Sequence, residues 1–362
     1  MSQPNSFLDL AGTWLLESGI QLPAGGVARY YRSDVGTNRL VSTEITGYAV
    51  SAFAFLHRLT SQVRYLDAAG RAARFLSRTA WDREREIFPF EYSAGGDQGN
   101  ALAYFFDSGI VARGLLAAWR ATNDAELLAA AVRSADAMAR DFGEVCTPHP
   151  ILRLPDKTPA PREGNWSRHA GCYQLKSALA WYDVYEVTGQ ERYLGHYERA
   201  LEYALSTHQS FLPGDADPHR VMDRLHAYAY FLEGLLPRLD RAECARAMRW
   251  GLLAAARLLR EISPGFERSD VCAQILRARL YADAFGAVPL DREAAEEEAR
   301  RAASYQVRSP DRRADGGFWF GRRKGELVPH INPVSTAFCL QALAMWRQCL
   351  DGTFEPVRQE LI

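Results

Sequence analysis

Helices that are apolar on nearly every side alternate along this chain with helices that carry one polar face, and this alternation restricts the possible folds more than any other feature. Ser42 to Thr60, STEITGYAVSAFAFLHRLT, is of the first kind, and the next stretch, VRYLDAAGRAARFLSRTA, with its arginine-studded face, is of the second. A helix apolar all round must be enclosed by others, whereas a one-faced helix covers it from outside. The couplet recurs as FFDSGIVARGLLAAWRAT with DAELLAAAVRSADAMARDF, and as RHAGCYQLKSALAWYDVYEVTG with ERYLGHYERALEYALSTH. RLHAYAYFLEGLLPRL with RAECARAMRWGLLAAARLLREI, and SDVCAQILRARLYADAFG with DREAAEEEARRAASYQ, follow. A last inner-type helix, NPVSTAFCLQALAMWRQCL, has almost no chain after it. SFLDLAGTWLLES, near the N-terminus, supplies its partner if the chain closes into a ring.

Polar residues near the starts of the inner helices measure the period. Glu44, Asp107, His169, His226, Asp270 and Ser335 are separated by 63, 62, 57, 44 and 65 residues, one helical hairpin plus one connecting excursion each. The expectation is an all-α fold: a closed ring of about six helical hairpins with short β excursions in its long loops, one domain over residues 1–362. An open array would need polar helices capping both ends, and Phe338, Leu340, Leu343 and Trp346 make the last helix too apolar for that.

Composition narrows the partners. Lys and Arg number 43 against 44 Asp and Glu, so there is no global field to gather nucleic acid or an anionic membrane. No apolar run approaches the roughly 20 residues of a membrane helix, and the first residues lack a signal-peptide pattern, which reads as a cytoplasmic protein without membrane or nucleic-acid partners. The six cysteines show no C-x-x-C pair. No phosphate loop, H-E-x-x-H or G-x-S-x-G is present, so neither a cofactor nor a metal is expected.

In a closed ring, inner-helix starts and the loops before them converge on the axis, gathering residues distant in sequence round one pocket. Glu44, Asp107 and Asp270 are the carboxylate candidates there. Glycoside hydrolysis uses two carboxyl groups, one protonated toward the leaving group and one ionised to attack or to activate water. Acids in a helix's first turn also serve simply as caps or dipole partners. Glu91, within FPFEYS, is the loop carboxylate. His169 and His226 offer an imidazole pair for moving protons on a sugar carbon, and His330 is a third imidazole. Tyr173 and Tyr228 follow the first two within about a turn. Arg168, Arg224 and Arg268 precede three consecutive inner helices, which suits a sugar bearing a carboxylate or phosphate; pairing with Asp223 and Glu267 is the alternative. Trp166, Trp319, Phe90, Tyr92 and Phe318 are candidates for stacking on sugar rings.

The repeated hairpins, with junctions such as YEVTGQERYL and WRATNDAELL, resemble the six-hairpin (α/α)6-toroid superfamily of carbohydrate-active enzymes, which includes glycoside hydrolases, unsaturated glucuronyl hydrolases and N-acylglucosamine 2-epimerases. The resemblance spans nearly the whole chain and implies an enzyme with a sugar or oligosaccharide substrate. SYQVRSPDRRADGGFWFGRRKG also looks like one altered copy of the Q-x-x-D-G-G-W repeat of terpenoid cyclases, with Phe318 in place of Trp. The expected activity is hydrolysis of a glycosidic bond in an acidic or substituted sugar. Asp107 or Glu44 would be the acid, Asp270 or Glu91 the base, and the arginines would hold the substrate. The alternatives are an epimerase or isomerase using His169 and His226, a non-catalytic glycan-binding toroid, and a terpenoid-cyclase-like enzyme.

Overall fold

A computed structural model describes residues 7–92, 101–145, 147–162, 166–212, 217–263 and 265–362. All candidate site residues fall within these ranges; Cys146 does not. Twelve α-helices are present among them: α1 (Phe7–Glu17), α2 (Thr43–Thr60), α3 (Val63–Arg74), α4 (Phe105–Thr122), α5 (Ala125–Asp141), α6 (Leu175–Thr188), α7 (Glu191–Phe211), α8 (Pro218–Gly234), α9 (Ala242–Ile262), α10 (Ser269–Ala284), α11 (Arg292–Ala303) and α12 (Pro333–Leu350).

The even-numbered helices form the inner ring. Each packs on the next, and α12 packs back on α2. α3, α5, α7, α9 and α11 cover their hairpin partners from outside, and α1 packs on α12, so the N-terminal helix fills the sixth outer place. The sequence shows why. α10 is buried through every residue from Ser269 to Ala282, whereas α11, REAAEEEARRAA, buries mainly its alanine stripe together with Glu298.

Inner helices approach one another through glycine. A Cβ added at Gly114 on α4 would meet the Gly47 carbonyl oxygen of α2 at 2.5 Å, and one added at Gly109 would meet the Ser177 carbonyl oxygen of α6 at the same distance. Backbone therefore lies against backbone at both crossings.

The excursions lie before the inner helices and join neighbours by short antiparallel strands. Val41–Ser42, leading into α2, pairs with Glu91–Tyr92; Leu102–Tyr104, leading into α4, pairs with Ile151–Arg153. Phe266–Arg268, leading into α10, pairs with Gly321–Arg323. Tyr31–Arg32, between α1 and α2, pairs with His330–Ile331 just before α12, a second bond across the ring's seam.

The D-G-G-F segment serves that seam. Gln306 Nε2 donates to the carbonyls of Phe7 (2.8 Å) and Gly316 (3.3 Å), and a side chain at Gly317 would strike Trp14. The resemblance to a cyclase repeat thus marks a docking point for α1. The five described cysteines carry free thiols.

Two inner helices begin elsewhere than the period suggests. α8 starts at Pro218, whose missing N–H costs nothing in the first turn, with Asp217 accepting from the His219 N–H at 3.0 Å. His226 is therefore its ninth residue. α6 begins only at Leu175, after a 3-10 turn over Cys172–Gln174, so His169 lies six residues ahead of the helix.

Overpacking a close crossing costs typically about 1–3 kcal/mol. Gly114→Val is expected to lower the unfolding free energy obtained from urea titration by an amount in that range, whereas the same change at Gly143, where an added Cβ meets nothing within 4 Å, is limited to the strain of its left-handed φ of 81°.

Candidate active site

At the N-terminal mouth of the ring lies a cavity of about 190 Å³ whose lining includes Glu44, Asp107, Tyr173, Gln174, His226 and Tyr230. Glu44 occupies the first turn of α2, begun by Ser42, whose hydroxyl accepts from the Ile45 N–H at 3.3 Å. Asp107 sits in the first turn of α4. Tyr173 and Gln174 come from the turn that opens α6: Gln174 Oε1 accepts from the Gly171 N–H (3.2 Å), and its Nε2 donates to the Pro148 carbonyl (3.2 Å). The walls are aromatic. Trp166 stands edge-on to Tyr173 at 5.0 Å, Phe90 meets Tyr104 at 4.8 Å, and Phe106 meets Tyr230 at 4.7 Å.

Enclosure decides protonation here. Burial pushes Glu44 up to about 7, against the pull of Arg29. Burial first, and then the negative charge of Glu44, raise Asp107 well above the carboxylate range. Two carboxyl groups this close in a dry site resist double ionisation, so the pair keeps a proton near neutrality. Asp107 Oδ2 is buried without a hydrogen-bond partner among the described residues.

His226 behaves in the opposite sense. Burial, aided by Arg268, drives its imidazole down to about 4, leaving it neutral at working pH. Its Nδ1 lies 2.9 Å from Gln274 Oε1. With that oxygen as acceptor, Nδ1 carries the proton and Nε2 keeps its lone pair. Asp270 stands behind, 3.8 Å from Nδ1, and is held ionised by a two-pronged contact from Arg268 at 3.0 and 2.6 Å.

The remaining candidates stand away from the cavity lining. Asp270 and Arg268 pair with each other, and Arg268 also reaches Asp223 at 3.7 Å. Glu91 pairs with Arg29 at 2.8 Å. His169 is exposed, because the chain has not yet entered α6. Arg168 reaches the Pro161 carbonyl at 3.4 Å; Arg224 lies over Phe211 and donates to its carbonyl. Tyr228 shares a hydrogen bond with His208 on α7 at 2.9 Å and packs toward Trp250 of α9, on the outer side of its helix. His330 stacks on Tyr30 at 4.6 Å, and Trp319 bridges to Ile331. The structure thus brings Glu44, Asp107, His226, Tyr173, Trp166 and Phe90 together. It adds Tyr104, Phe106, Gln174 and Tyr230, with Gln274 and Arg29 behind them. Phe106, Gln174, Tyr230 and Gln274 each lie within four residues of a candidate, a local signal that marks them; Arg29 had none. Among the described residues, no three His, Cys, Asp or Glu side chains converge as metal ligands.

No protein-family model matches the sequence, and no curated protein matches it. Solved structures do. The cellobiose 2-epimerase of Spirochaeta thermophila DSM 6192 superposes with a TM-score of 0.71 at 15% identity, covering 94% of this chain and 95% of its own. A sugar epimerase from a ruminal bacterium gives 0.70 at 11%, covering 94% and 99%. An α-1,6-mannanase of Salegentibacter gives 0.59 at 10%, covering 94% and 99%. The chain has the (α/α)6-toroid fold, shared by sugar epimerases and by glycoside hydrolases, and carbohydrate-active enzymes are its structural neighbours.

A carboxyl group whose pKa is raised on folding leaves stability intact below its unfolded value, near 4, and removes it as pH climbs through the folded value. Asp107→Asn, which takes away the forced charge, is therefore expected to raise the urea midpoint relative to the parent at pH 8. The two midpoints should converge at about pH 4.

Proposed function

We propose that this cavity binds one uncharged sugar ring and interconverts it with an epimer or isomer by proton transfer. His226 Nε2 is the base and the Glu44–Asp107 pair the acid. The observation that carries the reading is a neutral imidazole sharing one small cavity with a carboxyl pair that retains a proton. His226 removes the proton from the carbon beside the carbonyl of the open-chain sugar, and the released electron pair forms the carbon–carbon double bond. The carbonyl oxygen takes a proton from the carboxyl pair, which leaves an enediol. Returning a proton to that carbon or to its neighbour, from the carboxyl side or the imidazole side, gives the epimer or the isomer. Tyr173, Trp166 and Phe106 offer faces for the sugar's C–H surfaces. The cavity is smaller than the roughly 300–1,000 Å³ of pockets for larger ligands, which favours a single ring. Because Arg168, Arg224 and Arg268 are engaged elsewhere, the reading departs from an acidic substrate.

The coupled carboxyl pair supports a second reading, glycoside hydrolysis with one member as acid and the other as base. Proton magnetic resonance in deuterium oxide separates the two. Incubation with free aldohexoses should exchange deuterium into the sugar carbon next to the carbonyl as the product appears. Release of reducing sugar from glycosides without such exchange would replace the first reading by the second. His226→Asn should reduce turnover by about a hundredfold or more while leaving the circular dichroism unchanged.

The pH profile follows from the two shifted groups. The base works above the pKa of His226, about 4, and the acid works below that of Glu44, about 7. The plot of kcat/KM against pH is expected to rise through the first value and fall through the second.

A further inference from the structure

A second cavity, of about 840 Å³, opens at the opposite end of the ring, among the last turns of α2, α4 and α6 and the chain segment after α12. Arg58 lies 14 residues beyond Glu44 on α2, about 21 Å along the helix at about 1.5 Å per residue. The two cavities are therefore separate. Phe55, Trp119, Val187 and Val357 give this one apolar walls, and Arg58, Arg120 and Gln359 supply donors.

The charges around it do not balance. Asp183, fully buried, receives Arg113 at 2.9 Å and Arg358 at 2.6 Å. Arg358 also pairs with Glu186, and Arg58 with Glu360. Three carboxylates thus face four guanidiniums, those of Arg58, Arg113, Arg358 and Arg120. Arg120 is the one without a direct contact: it makes no hydrogen bond or salt bridge to a described residue, and Asp183 and Glu186 act on it only from farther off. Complementing the end of α4 is the ordinary duty of an arginine in that turn, but that duty does not require a half-enclosed guanidinium to stand with empty donors on the wall of a cavity. Burial first, and then the like charges of Arg113 and Arg358, press its proton affinity down against the pull of Asp183 and Glu186.

We propose that this cavity is a binding site for a small organic monoanion, an apolar ring or chain bearing one carboxylate or phosphodiester head. The head meets Arg120, with Gln359 beside it, and the body lies between Phe55 and Trp119. One negative charge completes the cluster, and the planar guanidinium offers two parallel donors to either head group. Glu186 and Glu360, already engaged by Arg358 and Arg58, line the same cavity and disfavour ligands of higher charge.

Isothermal titration calorimetry of the full chain tests the proposal with the monoanions benzoate and methyl phenyl phosphate and the neutral benzyl alcohol. At least one of the two anions should saturate one site per chain, and which of them does so identifies the head group. Benzyl alcohol should bind at least about tenfold more weakly. Arg120→Gln should weaken the anion by about tenfold or more with unchanged circular dichroism, and Asp107→Asn, at the far mouth, should leave that binding unaltered. The proposal is overturned if neither anion saturates, if benzyl alcohol binds as tightly as the anions, if Arg120→Gln binds like the parent, or if Asp107→Asn abolishes the heat. Should Arg120→Gln fail to fold, the comparison of charged and neutral ligands on the parent protein decides alone.

Discussion

Burial of the inner helices on every side is the constraint from which the site follows. α2, α4, α10 and α12 each touch a helix to the left, one to the right and one behind, so most of their flanks carry apolar or small side chains, and the long polar ones there, Arg113, Gln274, Arg277, Arg279 and Gln341, are buried. Their first turns, where the backbone N–H groups are still free, are where acidic side chains reach the cavity. Glu44 and Asp107 sit there, each within electrostatic reach of the other, on helices that Gly47, Gly114 and Gly109 let draw together with α6. A looser ring would separate the carboxyl groups and let both ionise.

Below the mouth the ring axis is not dry hydrocarbon. Lys176 and Arg277, both fully buried, meet Glu233, and Arg277 also reaches Gln341 at 2.9 Å. The Ile362 carbonyl receives Lys176 at 3.0 Å and Arg277 at 3.3 Å, so the chain's final segment turns inward to satisfy donors left on the axis. Burial brings Lys176 down to about 7 even with Glu233 beside it. Such a cluster adds little net stability over apolar packing, yet removing one member strands the others. The cluster links α6, α8, α10 and α12 through one side chain from each, below the level of His226 and Gln274.

The architecture was legible because it is written as a period. Alternating all-round and one-faced apolarity separated inner from outer helices, and the missing partner of α12 pointed to Phe7–Glu17. Acidic members of the cavity lining were legible where a polar residue stood in the first turn of a helix that starts on schedule, as Glu44 and Asp107 do. The same logic failed at Asp270, whose first-turn position is occupied by a local pair with Arg268, and at His169, since α6 starts late. His226 was picked for the wrong reason: it reaches the cavity from the middle of α8, two turns below a start set by Asp217 and Pro218. The arginines misled because a guanidinium near a helix start gives no sign of whether a neighbouring carboxylate or carbonyl will engage it. Tyr228 misled because on a helix buried all round, periodicity does not distinguish the side facing the axis from the side facing α9.

The seam between α12 and α2 joins elements made at opposite ends of synthesis. About 270 residues separate them, and ribosomes add roughly 5–20 residues per second. The flank of α2 that α12 will cover therefore waits for roughly 15 to 55 seconds with its neighbour unmade, as does the face of α1 that belongs to the same unmade helix. A nascent chain of this design emerges as an unfinished arc with two sticky ends. Holding those ends apart from other polypeptides until the last hairpin arrives is a burden that falls on chaperones at the ribosome.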